Sequence, residues 1–441
     1  MRLPTPSAAS RPSVARRRGA GLALGLMVTL AACSSGGGGD SSASVAPSSA
    51  TASPSPSPTT TSPSARPSPT ATHPTTTKPP VAPPAPTTTK AQTSCVDRTA
   101  DAMTTAQRVG QLFMAAVTST GMTGTESAAV SQGRVGAVFL MGHTTAGTAA
   151  VKSVTDRVRT LATSVKGARL GLLIATDQEG GQVQVLGGPG FSTIPDAVTQ
   201  GQWPASRLQQ EATGWAKQLR AAGVNMNLAP VADTVPPDLV KVNGPIGELN
   251  REYGNDPATV ATHSDAFLRG MRAAGVVPTV KHFPGLGRVR GNTDFTAGVT
   301  DTVTTTTDPY LQPFRSAVQA GTPFVMVSSA TYSRIDGSRQ AVFSPVVLRD
   351  LLRGRLGFQG AVISDDIGAA VAVSDRSPAQ RALDFLAAGG NMVLTVRPGD
   401  IAPMTSAVIN RLPKDAALRK DVDDSLHRVL TAKRNAGLLT C

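Results

Sequence analysis

"MRAAGVVPTVKHFPG", residues 271–285, compresses a helix end, a strand and a polar rim into fifteen positions. Gly275 stops an alanine-rich helical stretch, Val276–Lys281 is a short apolar run rich in β-branched residues, and charge arrives as the run ends. The same order recurs at LRAAG (219–223), VQAG (318–321) and FLAAGG (385–390), each leading directly into an apolar run. Glycine ends the helix and the chain turns at once into the sheet. Working outward gives eight such runs: LFMAAV (112–117), GAVFLM (136–141), GLLIAT (171–176), VNMNLA (224–229), VVPTVK (276–281), PFVMVS (323–328), GAVISD (360–365) and NMVLTV (391–396). Near-continuous apolar strands alternating with helices predict a parallel sheet covered on its outside. Eight of them in one domain predict an α/β fold closed as a (β/α)8 TIM-type barrel, with an open doubly wound sheet as the alternative.

The barrel does not account for the whole chain of 441 residues. Residues 1–32 carry Arg16, Arg17 and Arg18, then the apolar run GAGLALGLMVTLAA, and end before Cys33. Basic, hydrophobic and small-residue regions in that order read as a secretory signal. Leu30-Ala31-Ala32-Cys33 resembles the lipobox of bacterial lipoproteins, so Cys33 is the expected lipidation site and the expected location is the outer face of the cell membrane; an ordinary signal ending near a cysteine is the alternative. Residues 33–94 are almost wholly Ser, Thr, Pro, Ala and Gly. They hold too little apolar area to offset chain entropy and read as a disordered tether. The globular domain is then 95–441, long enough to bury one large core.

The formal charge of +13 includes Arg2, Arg11, Arg16, Arg17 and Arg18 of the signal, leaving 13 − 5 = +8 beyond it. The remaining bases are scattered and aromatics are few, which argues against nucleic acid as a partner. With Cys33 lipidated, Cys95 and Cys441 stand at the two ends of the domain, and outside the cytoplasm they are expected to pair. A monomer is expected.

In a barrel, function gathers where strands pass into βα loops. Those positions read Asp177-Gln178-Glu179-Gly180-Gly181, Ala229-Pro230-Val231-Ala232-Asp233, Lys281-His282-Phe283-Pro284-Gly285 and Ser364-Asp365-Asp366. Acids and bases converging on one rim suit a ligand with many hydroxyls, although Asp233 or Asp365 taken alone reads equally as the cap of a following helix. Other chemistries lack their signatures. The histidines at 73, 143, 263, 282 and 427 show no metal-ligand spacing, and there is no GxSxG elbow or P-loop. GLGRVRG (285–291) misplaces the third glycine of a dinucleotide fingerprint. No cofactor or metal is expected, which leaves carboxylate chemistry. Glycoside hydrolysis is such a case, needing one group at the anomeric carbon and another to protonate the leaving oxygen.

DQEGG (177–181), APVAD (229–233), KHFPG (281–285) and SDD (364–366), in this order, resemble the N-terminal barrel of family 3 glycoside hydrolases, over about Ala100 to Val396. The likeness is to single-domain bacterial β-N-acetylglucosaminidases that act on peptidoglycan fragments. It implies a retaining mechanism through a covalent glycosyl-enzyme, with Asp365 matching the nucleophile, Asp177 a sugar-hydroxyl ligand, and Lys281 and His282 the pair that binds the sugar. Arg251, in REYGNDP, sits where the family has an arginine. A cation such as Lys281 near Asp365 would keep a nucleophilic carboxylate ionised.

Two stretches depart from the pattern. Family members read DQEGGRVxR, whereas here the stretch continues Gln182-Val183-Gln184-Val185, so both arginines are gone. The subgroup's Asp-Ser-His, whose histidine is the acid/base, is replaced by Asn292-Thr293-Asp294. Asp294 is the only carboxylate from Lys281 to Thr300 and is the expected acid/base, on a loop whose glycines suggest a flexible flap. Arg288 and Arg290 would oppose a raised pKa there unless they face away. The competing expectations are a catalytically impaired cell-wall-sugar-binding lipoprotein and a family 3 hydrolase for a different β-glycoside.

Overall fold

The structure, a computed structural model, describes residues 94–440 apart from 166–167. The signal stretch, nearly all of the tether, Cys33 and Cys441 lie outside the described residues. Eight parallel strands close a barrel: β1 (Phe113–Thr118), β2 (Ala137–Met141), β3 (Leu173–Thr176), β4 (Met226–Asn227), β5 (Val277–Phe283), β6 (Phe324–Val327), β7 (Ala361–Asp366) and β8 (Met392–Thr395). Each strand neighbours the next in sequence, and β8 returns to β1 through the pairs Phe113–Val393, Met114–Leu394 and Ala115–Thr395. All eight expected runs are strands of this barrel, so the open-sheet alternative is excluded.

A helix follows each strand before the next begins: α1 (Gly124–Gly133), α2 (Gly147–Arg159), α3 (Ala205–Ala221), α4 (Pro257–Ala273), α5 (Gln312–Gln319), the π-helical α6 (Val346–Arg355), α7 (Pro378–Ala388) and α8 (Ile401–Arg411). α4 shows how sequence sets the bounds. The Asp256 carboxylate accepts from the backbone N–H groups of Ala258 and Thr259, and Pro257 occupies the first turn, where its missing N–H costs nothing. Val260, Phe267, Leu268 and Met271 face the core, with Phe267 against Trp215 of α3 at 6.0 Å between ring centroids. Gly275, at φ 75°, then takes the left-handed turn that a side chain would resist.

The β3–β4–β5 seam departs from a plain ladder. The run 224–229 yields only two strand residues, because the Asn225 and Asn227 side chains do part of the pairing. Asn225 accepts from Ile174 N–H and donates to Leu172 C=O; Asn227 accepts from Gln178 N–H and donates to Gln178 C=O. This fixes the start of the DQEGG turn relative to β4. At the domain's ends, the helix Cys95–Ala102 packs on the last helix, Ala416–Asn435, and Leu439–Thr440 pairs with Ala168–Leu170. Cys95 is disulfide-bonded, with its partner sulfur outside the described residues.

Candidate active site

A cavity of about 670 Å³ opens at the C-terminal ends of the strands and is lined by all six expected site residues: Asp177, Arg251, Lys281, His282, Asp294 and Asp365. Strand direction brings together residues that are far apart in sequence, since every βα loop leaves the barrel at this rim.

The floor is an ion network. Lys281 Nζ donates to Asp177 Oδ1 at 2.7 Å and lies 2.5 Å from Glu179 Oε1. Arg251 grips Glu179 with two parallel bonds, Nε to Oε2 at 2.9 Å and Nη2 to Oε1 at 2.8 Å. Burial pushes the Glu179 carboxyl up, but the charges of Arg251 and Lys281 overcome it and hold the group at about 2. Burial likewise disfavours the Lys281 ammonium, yet Asp177 and Glu179 raise its pKa above the ordinary lysine range. The charge of Lys281 is therefore spent on Asp177 and Glu179. It lines the same cavity as Asp365, but no ion pair joins the two among the described residues.

His282 is set from behind by Asp233, which is fully buried. Asp233 Oδ2 lies 2.7 Å from His282 Nδ1, and Oδ1 accepts from the backbone N–H groups of His282 and Leu286 at 3.2 and 2.8 Å. A carboxylate facing Nδ1 calls for the proton there, so Nε2 is the acceptor, 3.5 Å from Arg251 Nη2. Asp233 is thus no helix cap but a brace for the histidine and its loop. Neither Asp233 nor Glu179 was singled out for a role from sequence; the only signal was a carboxylate at a strand end, which caps share.

Four acidic residues line the cavity, and two are already engaged. Asp177 pairs with Lys281. Asp366 accepts from the backbone N–H groups of Gly368, Ala369 and Val396 at 2.8, 2.8 and 3.0 Å, which makes it the structural member of the SDD triplet. Among the described residues, Asp365 accepts only from the N–H of Asp366, at 2.8 Å, and keeps an oxygen for the cavity. Asp294 makes no side-chain hydrogen bond to the described residues. Burial against the cavity wall pushes its carboxyl up, and the charges of Asp365 and Asp366 push further, to about 6. The residue as a whole is exposed at the mouth. Water therefore reaches it, and the shift describes a proton available for transfer rather than a contribution to folding.

The loop that carries Asp294 is fastened at several points. Asn292 Oδ1 accepts from Asp294 N–H, while the carbonyls of Thr293 and Asp294 accept from Ala372 and Val371 in the loop after β7. Asn243 donates to the carbonyls of Leu286 and Val289. Gly287 lies so close to the Thr234 carbonyl that a Cβ would stand 1.8 Å from its oxygen. Close approach, rather than the expected flexibility, accounts for this glycine. Arg288 pairs with Asp308 at 2.7 Å and stacks on Tyr310, and Arg290 is exposed. The leading influences that pull the Asp294 pKa back down are His282 and Arg251, which burial and the two neighbouring carboxylates outweigh.

The residues of this stretch, with Gln182 and Val185 at the two arginine positions, are also placed. Gln184 bridges three backbone groups, donating to Leu186 and Ser192 C=O and accepting from Ile194 N–H, and Gln182 is exposed. Val183 between them reaches the cavity.

Comparison with known proteins agrees with this geometry. The model described as "Glycosyl hydrolase family 3 N terminal domain" matches residues 104–432. A Beta-hexosaminidase of Stenotrophomonas maltophilia (strain R551-3) is 36% identical over 262 residues, covering 56% of this chain and 73% of the relative. One from Xylella fastidiosa (strain 9a5c) is 37% identical over 256 residues, with the same coverage of 56% and 73%. Among solved structures, Beta-N-acetylhexosaminidase from Beutenbergia cavernae DSM 12333 superposes with a TM-score of 0.74 at 46% identity, covering 75% of this chain and 99% of that one. A family 3 beta-N-acetylglucosaminidase from Paenibacillus sp. str. FPU-7 gives a TM-score of 0.68 at 27% identity, covering 76% and 63%.

Proposed function

The chain belongs to glycosyl hydrolase family 3, and from that premise we propose that it is a retaining β-N-acetylhexosaminidase in which Asp365 is the nucleophile and Asp294 the acid/base. The observation that carries this reading is the division of labour among the cavity's acidic residues: Asp177 and Asp366 are tied up, whereas Asp365 and Asp294 are not, and Asp294 holds its proton to about 6.

The steps follow from the charges. Asp365 attacks the anomeric carbon as Asp294 gives its proton to the leaving oxygen, and the sugar is left as an ester on Asp365. Ester formation removes the Asp365 charge, one of the causes that raise Asp294. Asp294 then becomes the stronger acid in its resting balance and stays ionised, as a base must to take a proton from the incoming water. A carboxyl whose pKa responds to its neighbour's charge in this way can replace a histidine. Asp177, Lys281, Arg251 and the Asp233-braced His282 form a rigid hydrogen-bonding floor for sugar hydroxyls, with orientation fixed before the substrate arrives.

The substrate in this proposal is a terminal β-linked N-acetylglucosamine on cell-wall glycan fragments, reached from outside the membrane by a protein anchored through Cys33. The names of the relatives support the sugar, and the signal and tether sequence supports the setting. The test is turnover of nitrophenyl β-glycosides of N-acetylglucosamine, glucose and xylose by wild type and Asp365→Asn. The N-acetylglucosaminide should be preferred and Asp365→Asn should fall to background. Absence of wild-type hydrolysis would instead support the sugar-binding reading, and preference for glucoside or xyloside a different glycosidase.

A further inference from the structure

Large exposed apolar side chains among the described residues are few: Val242, Phe295, Val303 and Val371. All four sit on, or beside, segments fastened to the loop that carries Asp294. Val242 precedes Asn243, which holds the Leu286 and Val289 carbonyls, and Val371 N–H donates to the Asp294 carbonyl. Val303 lies in the turn whose Thr304 meets Arg288. Phe295 stands out at 79% exposed, and it lines the active-site cavity directly after Asp294. An exposed phenyl ring that lines the active-site cavity beside Asp294 is placed to touch what enters it.

Its place in the sequence of events fixes which part of the substrate it meets. A general acid must stand on the leaving-group side of the scissile bond, so the ring beside Asp294 faces the leaving group and not the sugar that becomes attached to Asp365. Asn292 lines the same wall, with Oδ1 accepting from Asp294 N–H and its amide nitrogen without a protein partner among the described residues. A flat apolar face next to a free amide donor matches a pyranose ring, which has a face of C–H groups and an equatorial belt of hydroxyls.

We propose that Phe295, with Asn292, forms a leaving-group subsite that selects β-glycosides whose leaving group is itself a sugar ring. This rests on Asp294 being the acid. The experiment compares Phe295→Ala and Phe295→Trp with wild type on two substrates sharing the N-acetylglucosaminyl donor: the β-1,4-linked disaccharide, and the glycosyl fluoride, whose leaving group has no ring to stack. The ratio of kcat/KM for disaccharide over fluoride should fall about tenfold in Phe295→Ala, the size one aromatic contact carries, and recover in Phe295→Trp. An unchanged ratio overturns the proposal, whether both rates fall together because the loop has moved or neither changes. Calorimetric titration of disaccharide and free N-acetylglucosamine in an Asp365→Asn background separates this from failure of the catalytic reading. If turnover is absent altogether, Phe295→Ala must still weaken disaccharide binding about tenfold relative to the monosaccharide, and equal weakening of both contradicts the subsite.

Discussion

Asp294 carries its proton because protein crowds one side of the carboxyl and two further carboxylates stand nearby, with no cation paired to it. The consequence is a signed pH dependence. A group raised to about 6 is protonated below that value and loses the proton above it, so turnover of substrates with poor leaving groups should decline as pH rises through about 6. Asp294→Asn should cost about 10²- to 10⁴-fold on such substrates and far less on a dinitrophenyl glycoside, whose leaving group needs no proton. Equal losses on both would remove Asp294 from the acid role. A fully buried titratable group elsewhere makes a different kind of prediction, about stability. Lys433 is 1% exposed, its Nζ donates only to Gln111 Oε1 among the described residues, and burial lowers its pKa to about 7. Between about pH 7 and 10.5 the unfolded chain holds a proton that the folded chain does not, so Lys433 makes stability rise with pH across that window. Lys433→Met orphans Gln111 Oε1 at every pH but should flatten this slope, as thermal unfolding at pH 6, 8 and 10 would show.

At the scale of elements, the segment 285–304 is a bracket rather than a lid. It is tied to Asn243 on one side and to Val371 and Ala372 on the other, so the placement of Asp294 depends on backbone contacts several residues away. Gly287→Ala tests this. With the Thr234 oxygen 1.8 Å from the new Cβ, the loop must shift, at a cost of about 1–3 kcal/mol by analogy with overpacking. The shift should also reach His282 through Leu286 and Asp233, so kcat should fall at least tenfold in a protein whose melting temperature has dropped. An unchanged kcat would mean the bracket does not position the site. Sequence made the strands legible here because apolar runs bounded by helix-stopping glycines admit few other readings. It could not show how the loop is fastened, since those bonds are backbone to backbone or come from Asn243 and Asn292, residues that most often mark simple turns. Asp366 beside Asp365 illustrates the same limit, because adjacent aspartates differ only in which backbone N–H groups surround them.

At the scale of the molecule, the barrel gathers strand ends from Asp177 to Asp365 around one cavity, and the chemistry follows from which of its acids are left unpaired. The eight strands and the rim on which the six expected residues meet could be read before the fold was seen, because each rests on a local pattern. The network of Glu179, Arg251 and Lys281 and the Asp233 brace could not, because they join residues from different strands and depend on the closure of the barrel. The proposed chemistry is a two-step reaction through Asp365. Incubation with a fluorinated N-acetylglucosaminyl fluoride that slows release of the covalent intermediate, followed by proteolysis and peptide mass mapping, tests it most directly. The predicted result is one sugar per chain, on the peptide containing Asp365, with inactivation in step with labelling; a label on Asp366 or Asp294, or steady turnover with no label at all, would contradict it.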